Sequence, residues 1–337
     1  SMLRQLIDAA TRIQAISYGS PDDVDDVVEQ AEKLVFDVTN KRVSSNFQPI
    51  DALMAEAFKQ IELLYERKAK ITGVPTGFPD LDKILAGLHR GDLIILAARP
   101  AVGKTAFALN LAVNAAKAGH PTLVFSLEMS SAQLAQRILC AEARIDSQNL
   151  RTGHLGDGDW PLITQALGRL GKIPLSVDDT PSISIFEVRA KARRFLRDKP
   201  DGLIVVDYLQ LMQPHGRRSE NRQVEIAEIS RGLKILAKEL DVPVIALSQL
   251  SRAVEQRTSK RPQLSDLRES GAIEQDADVV MFIDRNTDPT AEPEAGRPGK
   301  GEAEVIVAKH RNGPTDNCRL AYLERFTRFV PLAKNVP

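Results

Sequence analysis

Residues 93–105, LIILAARPAVGKT, are the most informative part of this chain of 337 residues for predicting its fold. Leu93–Ala97 is apolar throughout, which predicts a short strand covered on both faces of a sheet. The loop that follows ends in Gly103-Lys104-Thr105, where a helical stretch begins. Strand, loop, Gly-Lys-Thr and helix in this order is the context that a phosphate-binding loop (P-loop) requires. We therefore expect a nucleotide site where this strand ends.

The residue types in this loop suit the phosphate chain of ATP. Backbone N–H groups of the loop and of the helix start face the phosphates in such a site. Lys104 can reach the β- and γ-phosphates, and Thr105 can ligate Mg²⁺. The first position of the G-x-x-x-x-G-K-T pattern is Ala98 rather than Gly, so the match is not strict. We assign nucleotide contacts to Arg99, Pro100, Ala101, Val102, Gly103, Lys104, Thr105 and Ala106.

Further apolar runs extend the predicted sheet. They are Thr122–Leu127, Leu203–Asp207, Val244–Ser248 and Val279–Ile283. Amphipathic stretches alternate with the earlier runs, which favours an α/β fold around a mostly parallel sheet. Three later runs are short and separated by turns, and they predict an antiparallel extension at one edge. These are Ala303–Ala308, Arg319–Tyr322 and Phe329–Leu332.

Polar side chains follow three of these strands. The carboxyl ends of strands in an open α/β sheet face the ligand, so Asp207 can hold Mg²⁺ there. Glu128 follows a second strand, and a carboxylate near the γ-phosphate can polarise the attacking water. Gln249 ends a third strand and can sense the γ-phosphate. The residues alone leave two alternatives open, with Glu128 as the start of a helix and Gln249 as a solvated strand end.

The first 72 residues show helical rather than strand periodicity. Two apolar stripes separated by Gly19-Ser20-Pro21 predict a short helical hairpin within residues 1–45. A third amphipathic helix is predicted within residues 46–72, and its apolar face can pack on its own domain or on a neighbouring subunit. We expect it to be a linker helix that docks on the neighbour. The α/β domain is predicted to occupy residues 73–337.

Composition limits the class of protein. The 45 basic and 45 acidic residues cancel, whereas a nucleic-acid-binding domain is usually basic. This objection weakens for a ring of subunits, because each subunit then needs only a few phosphate contacts. No apolar run reaches the roughly 20 residues of a membrane helix and no signal peptide is recognisable, which predicts a cytoplasmic protein. Cys140 and Cys318 are expected to be buried free thiols.

Six segments, in order and at suitable spacing, carry a family resemblance. They are Thr76–Asp82, Ala98–Thr105, Ser126–Ser130, Asp207–Gln210, Ser248–Arg252 and Asp266–Asp278. With them the chain closely resembles the C-terminal motor of the DnaB replicative helicases, a family that tolerates Ala at the first P-loop position. The resemblance implies a RecA-like fold, a homo-hexameric ring, ATP hydrolysis between subunits and 5′-to-3′ movement on single-stranded DNA.

The resemblance also implies roles for individual residues. Glu128 corresponds to the catalytic glutamate of the family. Lys309–Gly313 corresponds to the segment that reaches the neighbour's nucleotide, with Arg311 as arginine finger and Lys309 assisting. Without the resemblance, these two residues would be interpreted as ordinary charges at the end of a strand. His310 lies between them and is expected to be structural.

DNA contacts and partner proteins are implied in the same way. Arg268, Glu269 and Gly271 match the family's DNA-backbone loop, in which an arginine bonds a phosphate and a glycine permits close backbone approach. Residues 214–222 resemble a second channel-facing loop, although a charge run is usually a solvated loop; its arginines are Arg217, Arg218 and Arg222. The helical hairpin belongs to the region where primase and helicase loaders dock in the family.

Two other classes of protein share part of this pattern. A RecA-like ATPase without helicase activity, such as a recombinase or a signalling ATPase, has the same P-loop and strand-end acids. It is not expected to carry both the Asp266–Asp278 segment and the Lys309–Arg311 segment. An inactive P-loop scaffold is disfavoured because Lys104, Glu128 and Asp207 are all retained.

Overall fold

The computed structural model describes residues 2–19, 24–40, 50–51, 54, 58–59, 61–62, 71–197, 199, 201–213, 221–251, 257, 261–286 and 297–332. Within these ranges, the side chains of residues 2–3, 24–25, 37–40 and 268–270 are not described. The chain divides into two compact units, residues 1–69 and residues 70–337.

Two helices that contact each other open the first unit, as the periodicity predicts. Helix α1 is Met2–Tyr18 and helix α2 is Val24–Asn40. Of their described side chains only Ala9 is buried. The two helices therefore bury little apolar surface between them.

A third helical segment of this unit carries an exposed apolar face. The residues described between 50 and 62 are helical. Ile50, Met54, Phe58 and Ile61 recur three or four residues apart, so they share one face. Their exposed fractions lie between 61% and 73%. The spacing of Leu53, Ala57 and Leu64 in the sequence also predicts an apolar face of this helix, but these residues lie outside the described ones.

One sheet is the centre of the second unit. Its described strands are β1 Leu93–Ala98, β2 Thr122–Ser126, β3 Leu175–Asp178, β4 Leu203–Asp207, β5 Val244–Gln249, β6 Val279–Asp284, β7 Glu302–His310, β8 Asn317–Leu323 and β9 Arg328–Pro331. The strand order is β3-β2-β4-β5-β1-β6-β7-β8-β9. Strands β3 to β6 in this order pair in parallel, and β7, β8 and β9 pair antiparallel. The predicted mostly parallel sheet with an antiparallel edge is confirmed.

Helices cover both faces of the sheet. They are α3 Pro79–Leu85, α4 Lys104–Lys117, α5 Ser131–Ala143, α6 Ser147–Thr152, α7 Asp159–Leu170, α8 Ile185–Leu196, α9 Arg222–Leu240 and α10 Gly271–Asp276. Successive residues of β1 face opposite cores because side chains alternate along a strand. Leu96 packs in the core that contains α4, and Ile95 packs in the core that contains α8 and α9.

Strand β3 was not predicted. Leu175–Asp178 has four residues and lies at one edge of the sheet, with side chains that are half-buried or exposed. It therefore lacks the continuous apolar run that marks the central strands. The predicted state of the cysteines is confirmed, since Cys140 and Cys318 are free and buried. Among the described helices, none has the length and apolar composition needed to cross a membrane.

Substitution of Leu96 tests how strongly the central strand supports the fold. Leu96 is 0% exposed, so Leu96→Ala should lower the free energy of unfolding by about 2–5 kcal/mol. The matched control Leu167→Ala, at a side chain 55% exposed, should change it by less than about 0.5 kcal/mol. Urea unfolding followed by circular dichroism measures both, and equal losses would contradict the assignment of the core.

Candidate functional site

The loop between β1 and α4 has the backbone shape that a phosphate-binding loop needs. Gly103 precedes the helix with φ of 108°, a conformation that side chains rarely adopt. A Cβ on Gly103 would lie 3.2 Å from Cζ of Phe329, so packing also favours glycine. Ala101 has φ of 63°, in the left-handed region. The loop thereby turns from the strand into the start of α4.

Lys104, Thr105 and Asp207 meet where β1 and β4 end. The hydroxyl of Thr105 donates to Oδ2 of Asp207 at 2.7 Å. Nζ of Lys104 lies 4.0 Å from Oδ1 of Asp207 and 4.4 Å from the centre of the Tyr208 ring. The structure thus brings together the P-loop cation and the strand-end acid, which lie about a hundred residues apart in sequence.

Asp207 offers one oxygen that no described group satisfies. Its side chain is buried, and Oδ1 accepts no hydrogen bond from the described residues. Burial raises the pKa of Asp207, and burial likewise lowers the pKa of Lys104. A buried carboxylate oxygen beside a threonine hydroxyl fits a magnesium ion, because Mg²⁺ prefers hard oxygen ligands.

Glu128 and Gln249 line the same cleft as Lys104 and Thr105. The cleft has a volume of about 590 Å³, within the usual range for a small-molecule site. Other residues along it include Arg99, Pro100, Ala101, Gly103, Ala106, Arg137 and Tyr322. The side chain of Val102, a residue predicted to contact nucleotide, is buried in the core, so Val102 can face a ligand only through its backbone.

Ser126 shapes the turn that presents Glu128, a role that the sequence pattern did not indicate. Its hydroxyl donates to the carbonyl of Met129 at 2.7 Å and accepts from the Met129 N–H at 3.3 Å. Ser130 then caps α5 by accepting from Gln133 N–H. These contacts fold the backbone on both sides of Glu128. Glu128 therefore precedes a helix without being its cap.

The side chain of Arg285 holds the P-loop through a backbone carbonyl, a role that sequence reasoning missed. Its guanidinium donates to the Ala101 carbonyl at 3.0 Å and lies 4.2 Å from the centre of the Tyr322 ring. It also pairs with Glu324 at 3.2 Å. In the sequence, Arg285 is a single charge after an apolar strand, and no sequence pattern indicates that it contacts the Ala101 carbonyl.

Lys309 and Arg311 lie near the amino ends of the parallel strands, whereas the P-loop lies at their carboxyl ends. Lys309, in β7, pairs with Val280 in the first half of β6. Nη1 of Arg311 lies 3.3 Å from Oδ1 of Asp278. Because β1 has six residues and a strand rises about 3.3 Å per residue, the amino ends of the strands are roughly 17 Å from the P-loop of the same subunit.

The ammonium of Lys309 is occupied within its own subunit. It donates to the carbonyls of Glu274 and Ala277 at 2.6 and 2.7 Å, at the end of α10. A cation there complements the unpaired carbonyls and the negative end of the helix. Burial, and then the charge of Arg311, lowers the pKa of Lys309. The ring of His310 lies 3.2 Å from the Pro314 carbonyl, which fits its predicted structural role.

The predicted DNA segments are described only in part. Residues Leu264–Ser270 form a 3₁₀ helix that continues into α10, but the side chains of Arg268 and Glu269 lie outside the described residues. A Cβ on Gly271 would meet no atom within 4 Å, so the surrounding protein does not require glycine. Residues 214–220, with Arg217 and Arg218, also lie outside. Arg222 is bound to Glu225 at 2.6 Å and to a backbone carbonyl.

A P-loop, a strand-end aspartate and a mostly parallel sheet define a P-loop nucleotide-binding protein. The chain belongs to the DnaB-like helicase C-terminal domain family, which matches residues 73–331. It is 50% identical over 335 residues to the replicative DNA helicase DnaC of Bacillus subtilis and 49% identical to the replicative DNA helicase DnaB of Geobacillus stearothermophilus. Each alignment covers 99% of this chain and 73% of the relative.

Solved structures agree with this assignment. A solved ATPase domain superposes with a TM-score of 0.80 at 38% identity, covering 86% of this chain and 100% of that domain. A DnaB-like replicative helicase, described together with its interactions with primase, superposes with a TM-score of 0.77 at 34% identity over 98% of this chain and 77% of that one. The family and the RecA-like fold predicted from the sequence are confirmed. The chain is an ATP-hydrolysing, DNA-unwinding enzyme of the replicative helicase type.

Replacing Lys309 tests its contact with α10. Lys309→Ala removes the cation from the helix carbonyls and should lower the free energy of unfolding by about 1 kcal/mol. Lys172→Ala, which removes an exposed lysine elsewhere on the surface, is the matched control and should have a smaller effect. Thermal unfolding compares the two variants. Equal midpoints would show that Lys309 contributes nothing to the stability of this edge.

Proposed function

We propose that this chain binds ATP with Mg²⁺ and uses its hydrolysis to move 5′-to-3′ along single-stranded DNA as a homo-hexameric ring, separating duplex at the replication fork. The observation that carries the proposal is the group of Lys104, Thr105 and Asp207, whose side chains meet beside a cleft lined by Glu128. A phosphate-binding lysine, two metal ligands and a candidate base at one sheet edge suit phosphoryl transfer to water.

Thr105 and Asp207 are the proposed magnesium ligands. Their oxygens already lie 2.7 Å apart, and Oδ1 of Asp207 accepts no hydrogen bond from the described residues. When bound, Mg²⁺ supplies positive charge that neutralises the phosphate oxygens. Lys104 supplies a second positive charge to the β- and γ-phosphates. The residues of 99–106 other than Pro100, which has no N–H, hold the phosphate chain through their backbone N–H groups.

Glu128 is the proposed general base and Gln249 the proposed sensor of the γ-phosphate. Both line the cleft beside Lys104 and Thr105. A carboxylate in that place can orient a water molecule and accept its proton. Gln249 lies next to Ala98 in the parallel register, so its backbone adjoins the start of the P-loop. The N–H of Leu250 donates to the carbonyl of Ala98, which ties the sensor strand to the loop.

Arg311 is proposed to act on the nucleotide of a neighbouring subunit. The roughly 17 Å between its sheet edge and its own P-loop is longer than an arginine side chain can span. In a ring, this edge can face the cleft of the next subunit. Lys309 is proposed to assist there, for which it must exchange carbonyls of α10 for phosphate oxygens.

DNA is proposed to bind at the segment that joins β5 to β6. Arg268 is the proposed phosphate ligand, with Glu269 and Gly271 beside it. The open space at Gly271 suits close approach of a nucleic-acid backbone, because a glycine N–H is not shielded by a side chain. The net charge of the whole chain is zero, so DNA binding depends on a few local contacts.

Assembly is proposed to involve the helix that includes Ile50, Met54, Phe58 and Ile61. An apolar face that remains more than half exposed lowers the free energy when it is buried against another surface. We propose that this linker helix, within residues 46–72, docks on a neighbouring subunit. The hairpin of residues 1–45 is the proposed contact region for primase and a helicase loader, consistent with the primase interactions described for a structural relative.

Glu128→Gln tests the proposed reaction. The amide cannot accept a proton from water, so the variant should bind ATP like the unchanged protein but lose hydrolysis and strand separation. Nucleotide binding is measured by fluorescence titration, hydrolysis by phosphate release, and unwinding on a forked duplex with ATP and Mg²⁺. A variant that still separates strands would exclude Glu128 as the base.

Arg268→Ala tests the DNA contact. Loss of one phosphate contact per subunit should weaken single-stranded DNA binding and reduce the slope of log K against log salt by about 0.7 per contact, without sequence preference. Arg194→Ala, at an exposed arginine of α8, is the matched control. Binding is measured by fluorescence anisotropy at several salt concentrations. A slope that falls equally in both variants would remove Arg268 from the DNA site.

A further inference from the structure

Asp278 is a buried acid that neither the nucleotide cleft nor the DNA segment uses. It lies between α10 and β6 and is 3% exposed. Its Oδ2 accepts from the N–H of Leu93 at 2.8 Å and from the ammonium of Lys234. Lys234 also donates to the Gly91 carbonyl at 2.7 Å. Asp278 is therefore anchored at the beginning of β1, the strand that leads to the P-loop.

The second oxygen of Asp278 faces Arg311. Nη1 of Arg311 donates to Oδ1 at 3.3 Å, and the backbone N–H of Arg311 donates to the Asp278 carbonyl at 2.8 Å. The Arg311 side chain is still 55% exposed, and the other nitrogens of its guanidinium donate to no group within the described part of the chain. Arg311 is thus held at one corner while the rest of its donors point away from the contact.

We propose that Asp278 is the positioning residue of the arginine finger, a proposal that rests on the trans role of Arg311 proposed above. The contact of Asp278 with one guanidinium nitrogen orients Arg311 before the neighbour's nucleotide arrives. A free arginine loses rotamer entropy when it binds a phosphate, and an oriented one loses less. The orientation also lets the charge act on the γ-phosphate without reorganisation, which is where preorganised electrostatics accelerate a reaction.

The anchoring of Asp278 sets the direction in which the finger projects. Leu93 and Lys234 hold one carboxylate oxygen, so the other oxygen cannot turn away from Arg311 without breaking those bonds. Lys309, near the end of β7, donates to carbonyls at the end of α10 and so connects these two elements. The finger is consequently fixed to two elements of its own subunit, β1 and α10, and acts as part of a rigid edge.

A subunit-mixing experiment separates positioning from a structural role. Lys104→Ala subunits retain Arg311 and are called the finger donor. Arg311→Ala subunits retain an intact P-loop and are called the P-loop donor. A mixture of the two should regain ATPase activity at interfaces where the P-loop of one meets Arg311 of the other. Asp278→Asn is then added to one partner at a time. In the finger donor it should lower the restored rate roughly tenfold or more, the scale at which a hydrogen bond to an ionised group acts. In the P-loop donor, whose finger is already absent, it should leave the restored rate unchanged.

The outcomes distinguish this proposal from the one on which it rests. Equal losses from both placements would show a structural role and overturn the positioning role, as would no loss from the finger donor. No activity in the reference mixture, once fluorescence transfer between labelled subunits has shown exchange, would overturn the trans finger itself. Asp284→Asn in the finger donor, which removes the charge of a different buried acid, at the end of β6 and paired with Arg297, is the matched control and should leave the rate unchanged.

A second variant covers the case in which Asp278→Asn does not fold. Asp278→Glu keeps a negative charge beside Lys234 but moves the carboxylate by one methylene, so that Arg311 is held in a displaced position. In the finger donor it should lower the restored rate without changing the KM for ATP, which the other subunit's P-loop determines. A restored rate equal to that of the reference mixture would overturn the proposal.

Discussion

Strand β1 is completely buried, and the positions of its neighbouring strands and of the P-loop follow from that burial. No residue of Leu93–Ala98 is exposed, so each backbone N–H and C=O group needs a partner inside the protein. Parallel pairing with β5 and β6 supplies those partners and sets the register, with Ala98 beside Gln249 on one side and Ile283 on the other. The carboxyl ends of neighbouring strands are therefore forced to one edge, and the P-loop begins at that edge.

Buried charges lie at both ends of the parallel strands. At the carboxyl ends, Lys104 lies beside Asp207, and desolvation lowers the pKa of Lys104 and raises the pKa of Asp207, which favours the neutral form of each group. At the amino ends, Asp278 is paired with Lys234 and contacts Arg311. The carboxyl ends hold the groups suited to the phosphates and the metal ion, while the amino ends present the half-exposed side chain of Arg311, which is too far away to reach its own cleft. This separation supports the proposal that the nucleotide site is shared between subunits.

Much of the fold was predictable because the central strands are apolar on both faces and the P-loop follows one of them directly. Asp207 and Glu128 were predictable because parallel strands end at a common edge. Strand β3 was not, since an edge strand of four half-exposed residues has no distinctive periodicity. Arg285 and Ser126 were not predictable either, because their partners, the Ala101 carbonyl and the turn at Met129, are backbone groups whose places depend on the folded chain.

Local order and short spacings along the sequence were sufficient to predict the α/β class, the phosphate-binding loop, the strand-end polar residues and the family. Which charges lie together is visible only in the folded chain. The tertiary structure placed Arg311 against Asp278 at the edge opposite the P-loop, because β7 runs antiparallel to β6 and returns the chain to the start of that strand. It also directed Lys309 to the carbonyls of α10. Such contacts join residues from different strands and helices, and their geometry depends on strand direction and register, which composition and periodicity do not encode.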